Sequence, residues 1–204
     1  MFVVLFSPQT ISMSASSGPS CVGVLGATGQ QGGAVLQALV AEGVSVVAIT
    51  RNPSSEKAKA LAGLSKVEVR QADLDDQKSL EAAFSGCDGA FVVANFWEGM
   101  DPTKEMKQYE NCANALKAVG GMKHIVMSSL EDTATNPKMA DAKVLLKHAT
   151  GDMKVTHFGA KNRSHAFFEG LPVTFLYTSC FVENFMRTGA INLLYVLERG
   201  RLRG

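Results

Sequence analysis

Long hydrophobic runs are missing from this 204-residue chain. No apolar stretch approaches the roughly 18–20 residues that a helix needs to cross a bilayer, so no helical membrane partner or span is expected. An excess of charge is missing too. Twenty Lys and Arg against nineteen Asp and Glu leave a formal net charge of +1, which gives no reason to expect a nucleic-acid partner or an acidic surface. Cysteine is sparse: Cys21, Cys87, Cys112 and Cys180 are scattered with no C-x-x-C pair. That excludes a disulfide framework or a zinc-ligand set, and it fits a reducing compartment, the cytoplasm with the nucleus left open. Buried or incidental thiols are one reading of the four, and redox-sensing thiols the other. His124, His148 and His165 show no metal-ligand spacing with carboxylates or cysteines, so no metal is expected. Also lacking are internal repeats, heptad runs, a Walker lysine motif, a nucleophile elbow and paired catalytic carboxylates.

The first twenty residues lack charged side chains altogether and are rich in serine. Their apolar stretch Phe2–Phe6 is shorter than a signal-peptide core and has no basic flank, and the arginines of a transit peptide are absent. Residues 1–20 are expected to be a disordered leader, or a start placed too early with Met13 as the first residue.

What is present from residue 21 onward is an alternation of strand and helix periods. Val22–Leu25 is a buried-strand candidate, followed by Gly32–Glu42 with Val35, Leu36, Leu39 and Val40 at helical spacing. Gly43 stops that helix before the β-rich run Val44–Thr50, and a short helix capped by Ser54 or Ser55 follows. Lys66–Arg70 alternates as a strand, Asp75 or Asp76 caps a helix to about Phe84, and Gly89–Asn95 reads as the fourth strand. Asp101-Pro102 opens a helix to about Val119, and His124–Ser129 is the fifth strand. Asn136-Pro137 opens a helical stretch to about His148, with a helix near Lys161–Phe168 and a strand Val173–Thr178 to close. Short, nearly all-apolar strands interleaved with helices imply a parallel sheet covered on both faces. The expectation is an α/β fold, a Rossmann-type doubly wound parallel sheet over 21–178.

Residues 22–33, "VGVLGATGQQGG", place Gly26-x-x-Gly29-x-x-Gly32 between the first strand and the first helix. Gly26 lets the chain turn off the strand, Gly29 lets backbone approach a pyrophosphate, and Gly32 lets the helix pack closely on the sheet. Unpaired N–H groups and the helix dipole then favour phosphate. A tight strand–helix turn with nothing bound is the plainer reading. About twenty residues on, where an NAD-preferring site offers a carboxylate, this chain has Arg51. A guanidinium suits the 2′-phosphate of NADP(H), which is therefore expected in preference to NAD(H). An arginine of the free surface is the alternative. Asp73 and Leu74 after the third strand, and Asn95 and Phe96 after the fourth, stand where a dinucleotide would lie, or serve as caps and packing.

With these pieces in place the chain resembles the NmrA-like family of atypical short-chain dehydrogenases/reductases, and especially its human redox-sensor type. The motifs that carry the likeness are "GATGQQGG", "TRNP", "DLDDQ", "VANFWE", "HFGAK" and "CFVENF", in order between residues 22 and 187. The resemblance implies a set of cofactor contacts. Gly26, Ala27, Thr28, Gly29, Gln30, Gln31 and Gly32 would hold the pyrophosphate. Arg51 with Asn52, Pro53, Ser54 and Ser55 would hold the 2′-phosphate, although Ser54 and Ser55 stand where relatives often place a basic residue and the nearest lysine is Lys57. Asp73, Leu74 and Gln77 match the adenine side, and Ala94, Asn95 and Phe96 the fourth-strand motif. Lys107, Lys161 and the run Phe181, Val182, Glu183 and Asn184 match positions lining the ribose and nicotinamide.

The Tyr-x-x-x-Lys pair of short-chain reductases is replaced by His157-x-x-x-Lys161. Lys161 keeps the ribose-holding role, while His157 is either a proton donor or merely the start of a helix. Ser128 and Ser129 fall where such enzymes place a substrate-orienting hydroxyl, or act as caps. Family members continue well past residue 204, so 179–204 is expected to be only the beginning of a small substrate or partner domain. Two functions follow as expectations. One is an NADP(H)-binding redox sensor without efficient catalysis that answers to a regulatory protein partner, with a homodimer left open. The other is an NADP-dependent reductase of a quinone or carbonyl, with Phe96, Trp97 and Phe181 walling a flat pocket or serving as ordinary core.

Overall fold

The computed structural model describes residues 18–135, 155–178 and 181. Within them six strands alternate with helices: β1 Cys21–Leu25, α1 Gln30–Ala41, β2 Ser45–Thr50, α2 Glu56–Ala62, β3 Val67–Gln71, α3 Gln77–Phe84 and β4 Gly89–Val92. A 3-10 turn at Phe96–Glu98 leads to α4 Pro102–Val119, then β5 His124–Ser129, α5 Thr156–Arg163, a 3-10 segment Ser164–Phe168 and β6 Val173–Tyr177. All strand pairs are parallel, in the order β3-β2-β1-β4-β5-β6. The expected doubly wound sheet is the fold observed.

Side chains of alternate residues leave the strands on opposite faces, and each face is covered. On β2, Val47 and Ile49 join Leu80, Phe84, Tyr109, Leu116, Ile125 and Met127 beneath α3 and α4. Val46 and Ala48 join Val24, Leu36 and Phe91 beneath α1. The helix starts follow from the residues expected to cap them. Ser55 accepts from the Ala58 N–H, Asp76 from Lys78 and Ser79, and Asp101 from Thr103 and Lys104, with Pro102 at the first helical position.

Several boundaries differ from the expectation; α1, for one, begins at Gln30 instead of Gly32. The fourth strand leaves the sheet at Val92 instead of Asn95, because the Ala94 N–H donates to the Tyr109 hydroxyl and not to a neighbouring strand. The expected helix at Lys161–Phe168 begins earlier, at Thr156, and tightens into the 3-10 segment from Ser164. Ser20, assigned to the leader, is tied into the fold: its N–H and hydroxyl both donate to the Asp88 carboxylate, at 2.8 and 2.9 Å. Residues 1–17 and the expected helix after Asn136-Pro137 lie outside the described residues.

Cys87 and Cys112 follow the plainer reading, and Cys180 lies outside the described residues. Cys112 is fully enclosed and burial pushes its thiol up. The Cys87 thiol is pushed up to about 12, by burial and by Cys21, whose Sγ lies 3.9 Å away. Neither is a thiolate near neutral pH.

Asp88 supplies a test of the fold's acid sensitivity. Burial pushes its carboxyl up, but N–H bonds from Cys21 and Ser20 and the Lys123 ammonium at 3.0 Å outweigh this and hold it well below the usual carboxylate range. A depressed folded pKa means the contribution is complete above the unfolded value of about 4 and is lost as pH falls through the folded one. Asp88→Asn is therefore expected to cost about 1.5–3 kcal/mol at pH 7 in urea unfolding. The gap from wild type should close toward pH 2; a gap that stays constant with pH would show that the charge is not what matters.

Candidate functional site

The carboxyl ends of the strands meet at the glycine turn. Gly26 adopts φ 62°, in the left-handed region that a side chain disfavours, and its carbonyl accepts from the Gly29 N–H at 2.8 Å. Gly32 is needed for a different reason: a Cβ there would lie 2.3 Å from the Gly26 carbonyl oxygen and 2.7 Å from that of Leu25. The first turn of α1 thus presses on the end of β1 backbone to backbone. Gly29 begins α1 without a side-chain cap, unlike Ser55, Asp76 and Asp101 at α2, α3 and α4. With no acidic residue in its first turn either, this N-terminus meets the requirements of a phosphate cradle. Ala27 is buried and Thr28 half-buried beside it, while Gln30 is exposed. Gln31 Oε1 accepts from the Ser128 hydroxyl at 2.9 Å, so the start of α1 is tied to the end of β5.

Arg51, just past β2, is exposed, and Gln71 holds its carbonyl. Its guanidinium makes a two-pronged pair with Glu98, Nη1–Oε2 at 2.9 Å and Nη2–Oε1 at 2.7 Å. The rest of the loop is occupied with its own geometry. Asn52 Oδ1 accepts from the Ser54 N–H, Pro53 is half-buried, and Ser55 caps α2. Asp73 and Leu74 lie half-buried beyond β3, where Asp73 accepts from the Asp75 N–H and the Leu74 carbonyl from Asn111 on α4. Gln77 points along α3 to Glu81 instead.

Lys161 sits at the centre of a buried network. Its ammonium donates to the Ala94 carbonyl at 3.0 Å, to Glu105 Oε1 at 2.7 Å and to the Tyr109 hydroxyl at 3.0 Å. Those three bonds use all three of its protons. Tyr109 is saturated as well, since its oxygen accepts from Lys161 and Ala94 and its proton goes to the Ser128 carbonyl. Burial raises the Tyr109 phenol and keeps it neutral. Burial works against the Lys161 charge, but Tyr109 and Glu105 outweigh it and the ammonium stays protonated. Burial pushes the Glu105 carboxyl up and Lys161 pulls it back. A tyrosine and a lysine therefore do stand side by side here, though 52 residues apart and enclosed.

His157 lies one turn before Lys161 on α5, as expected, and packs tilted or edge-on among Phe96, Trp97 and Phe158 with ring centroids 4.9–5.5 Å away. Burial, and secondarily the Lys161 charge, lowers its pKa, so the neutral imidazole is the form present at pH 7. Its Nδ1 is buried without a hydrogen-bond partner. Asn95 caps the turn by accepting from the Trp97 N–H; Phe96 is buried and Trp97 is 60% exposed. Ser129 is closed off, its hydroxyl 2.6 Å from His165 Nε2, and His165 stacks on Phe175.

The structure does not bring every expected residue together. Lys107 is exposed and paired with Glu110, on the face of α4 about 160° from Glu105 and Tyr109. Phe181 is exposed, and Val182, Glu183 and Asn184 lie outside the described residues. Conversely, Glu98, Glu105 and Tyr109 were not anticipated. One signal was available: Glu105, Tyr109, Cys112 and Leu116 follow an apolar helical stripe with a carboxylate in it. Among the described residues no group of acidic, histidine or cysteine side chains could hold a metal, and no helix is long and apolar enough to cross a membrane.

The model of the NmrA-like family matches residues 19–193. The chain belongs to the NmrA-like family. Among its NmrA-like relatives, the NmrA-like family domain-containing oxidoreductase notA' of Aspergillus versicolor is 36% identical over 145 residues, 68% of this chain and 39% of that protein. The negative transcriptional regulator Nmra superimposes with a TM-score of 0.65 at 23% identity, over 81% of this chain and 47% of that one, and has been solved with NAD and with NADP. The NADPH-dependent quinone oxidoreductase QOR2 of Escherichia coli, solved with NADPH, gives 0.58 at 30% identity over 81% and 50%. The chain thus spans half or less of the length of these proteins.

Proposed function

We propose that this chain binds NADP(H) in preference to NAD(H) and reports the state of that cofactor to a partner protein, in the manner of the redox-sensor type, without efficient turnover. One observation carries the second half: all three Lys161 protons are engaged by Ala94, Glu105 and Tyr109, and the neighbouring Tyr109 hydroxyl is saturated. Neutral His157 is an acceptor of protons and not a donor of them. The uncapped α1 N-terminus and the Gly32 contact fit a pyrophosphate, and the Arg51 guanidinium fits a 2′-phosphate. Bound NADPH would supply a hydride; the chain's own part is to hold the cofactor and present different surfaces when full and empty. A partner responds only if its affinity differs between those states.

A second reading, reduction of a quinone or carbonyl, draws on the likeness to QOR2 and on the exposed Trp97 ring, which stands edge-on to buried Phe96 and tilted against His157. Titration with NADPH and NADH, followed by absorbance decay with a quinone and aldehyde panel, separates the two. NADPH should bind more tightly than NADH, and Arg51→Ala should weaken NADPH about tenfold or more with little change for NADH. Equal affinities would sink the preference assigned to Arg51, and sustained decay of NADPH would sink the sensor.

A further inference from the structure

The 3-10 turn Phe96–Glu98 touches two parts of the site at once. On one side Glu98 receives both prongs of Arg51. These residues follow β4 and β2, which are not neighbours: β1 lies between them, so the pair spans the crevice above the glycine turn. On the other side the rings of Phe96 and Trp97 lie 5.5 and 5.0 Å from that of His157, on the helix that carries Lys161.

A carboxylate and a phosphate monoester offer a guanidinium the same thing, paired anionic oxygens in one plane. Glu98 therefore uses the two donors of Arg51 that a 2′-phosphate would use. The exchange favours the phosphate. It carries more charge and a third acceptor oxygen, whereas pairs as open as this one, at 59% and 47% exposure, are the weak kind. We infer that Glu98 is an internal stand-in for the 2′-phosphate, and that an adenosine 2′-phosphate displaces it from Arg51 and frees the turn that carries Trp97. The inference rests on the NADP(H) reading above.

Two features fit a turn with two positions. A partly open cavity of about 120 Å³ adjoins it, lined by Asn95, Phe96, Glu98, Lys104 and Glu105 among others, which leaves the turn space beside it. The chain leaves the turn through Met100 at φ 51°, a left-handed conformation uncommon for a residue with a side chain. Lys104, the cation that lines that cavity, is paired with Asp75 at 3.0 Å. Glu98 released from Arg51 keeps Asn95 Nδ2, which donates to its Oε1 at 3.5 Å, and otherwise turns to water, which an exposed carboxylate tolerates. Part of the gain from binding the 2′-phosphate is thus offset by breaking an existing pair, and the same event reaches His157 through Trp97.

Trp97 is the chain's only tryptophan, so its emission reports the turn directly. Adenosine 2′,5′-bisphosphate is the probe and adenosine 5′-monophosphate, which lacks the 2′-phosphate, the control; affinities come from calorimetry. The bisphosphate should shift Trp97 emission, and the monophosphate should not. Glu98→Gln should bind the bisphosphate about two- to fivefold more tightly, leave monophosphate affinity unchanged, and start with its emission already near the occupied value. Arg51→Ala should lose the advantage of the bisphosphate. If Arg51→Ala weakens the bisphosphate but Glu98→Gln does not strengthen it, the stand-in is wrong and the NADP(H) reading survives. If Arg51→Ala binds the bisphosphate as wild type does, the NADP(H) reading fails and the stand-in falls with it.

Discussion

Lys161→Met will cost about 3–5 kcal/mol of folding stability, because it leaves the Glu105 carboxylate buried without a counter-charge. Lys161 and Glu105 are 12% and 2% exposed, so solvent does little to screen the loss. Three acceptors lose their donor together, including the Ala94 carbonyl at the exit of β4. Adding Glu105→Gln to Lys161→Met removes the stranded charge, and the double variant should recover much of the loss. A double-mutant cycle by urea unfolding measures this, with a coupling of about 2–3 kcal/mol expected for partners in direct contact. A Lys161→Met loss below about 1 kcal/mol would mean that the network is not a structural clamp. The result also bears on function, since any effect of this variant on NADPH oxidation has to be separated from its effect on folding.

Gly32→Ala should damage the site more than any other substitution in the glycine turn. Its Cβ would meet two backbone oxygens, at 2.3 and 2.7 Å, and backbone atoms have no rotamer through which to yield. The first turn of α1 must then lift off β1, at a cost of about 1–3 kcal/mol or more, and the N–H groups offered to a pyrophosphate move with it. Dinucleotide affinity should fall by about a hundredfold if that displacement reaches 1 Å. Gly33→Ala is the internal control. Its Cβ would lie 3.3 Å from the Ala27 carbonyl oxygen, a contact that a few tenths of an ångström relieves. Thermal melts and NADPH titration of the two variants distinguish a specific contact from general intolerance of this helix to alanine.

The alternation of elements was legible because each rests on short-range physics. A period of two marks the strands, a period near 3.6 the helices, and Asp76, Asp101 and Ser55 cap helices whose N–H groups lie within three residues of them. Where the reading slipped, a distant partner had intervened. Val93 and Ala94 extend an apolar run that looks like strand, with Asn95 at its end. The Ala94 N–H nevertheless goes to Tyr109, 15 residues on, and its carbonyl to Lys161, 67 residues on. Ser128 and Ser129 were expected to face a substrate or cap a helix, and their hydroxyls meet Gln31 and His165 instead.

By itself the sequence determined the sheet, the glycine turn between β1 and α1, and the presence of a guanidinium where an NAD site would carry a carboxylate. These depend on Cβ–carbonyl sterics and on side-chain periods, which act over a few residues. Only the tertiary structure decided what Arg51 and Lys161 do with their charges. Arg51 meets Glu98 because β2 and β4 flank β1, and Lys161 meets Glu105 and Tyr109 because α5 packs on α4. Coulomb attraction and hydrogen bonding depend on distance in space, and no spacing along the chain encodes partners 47 to 56 residues apart.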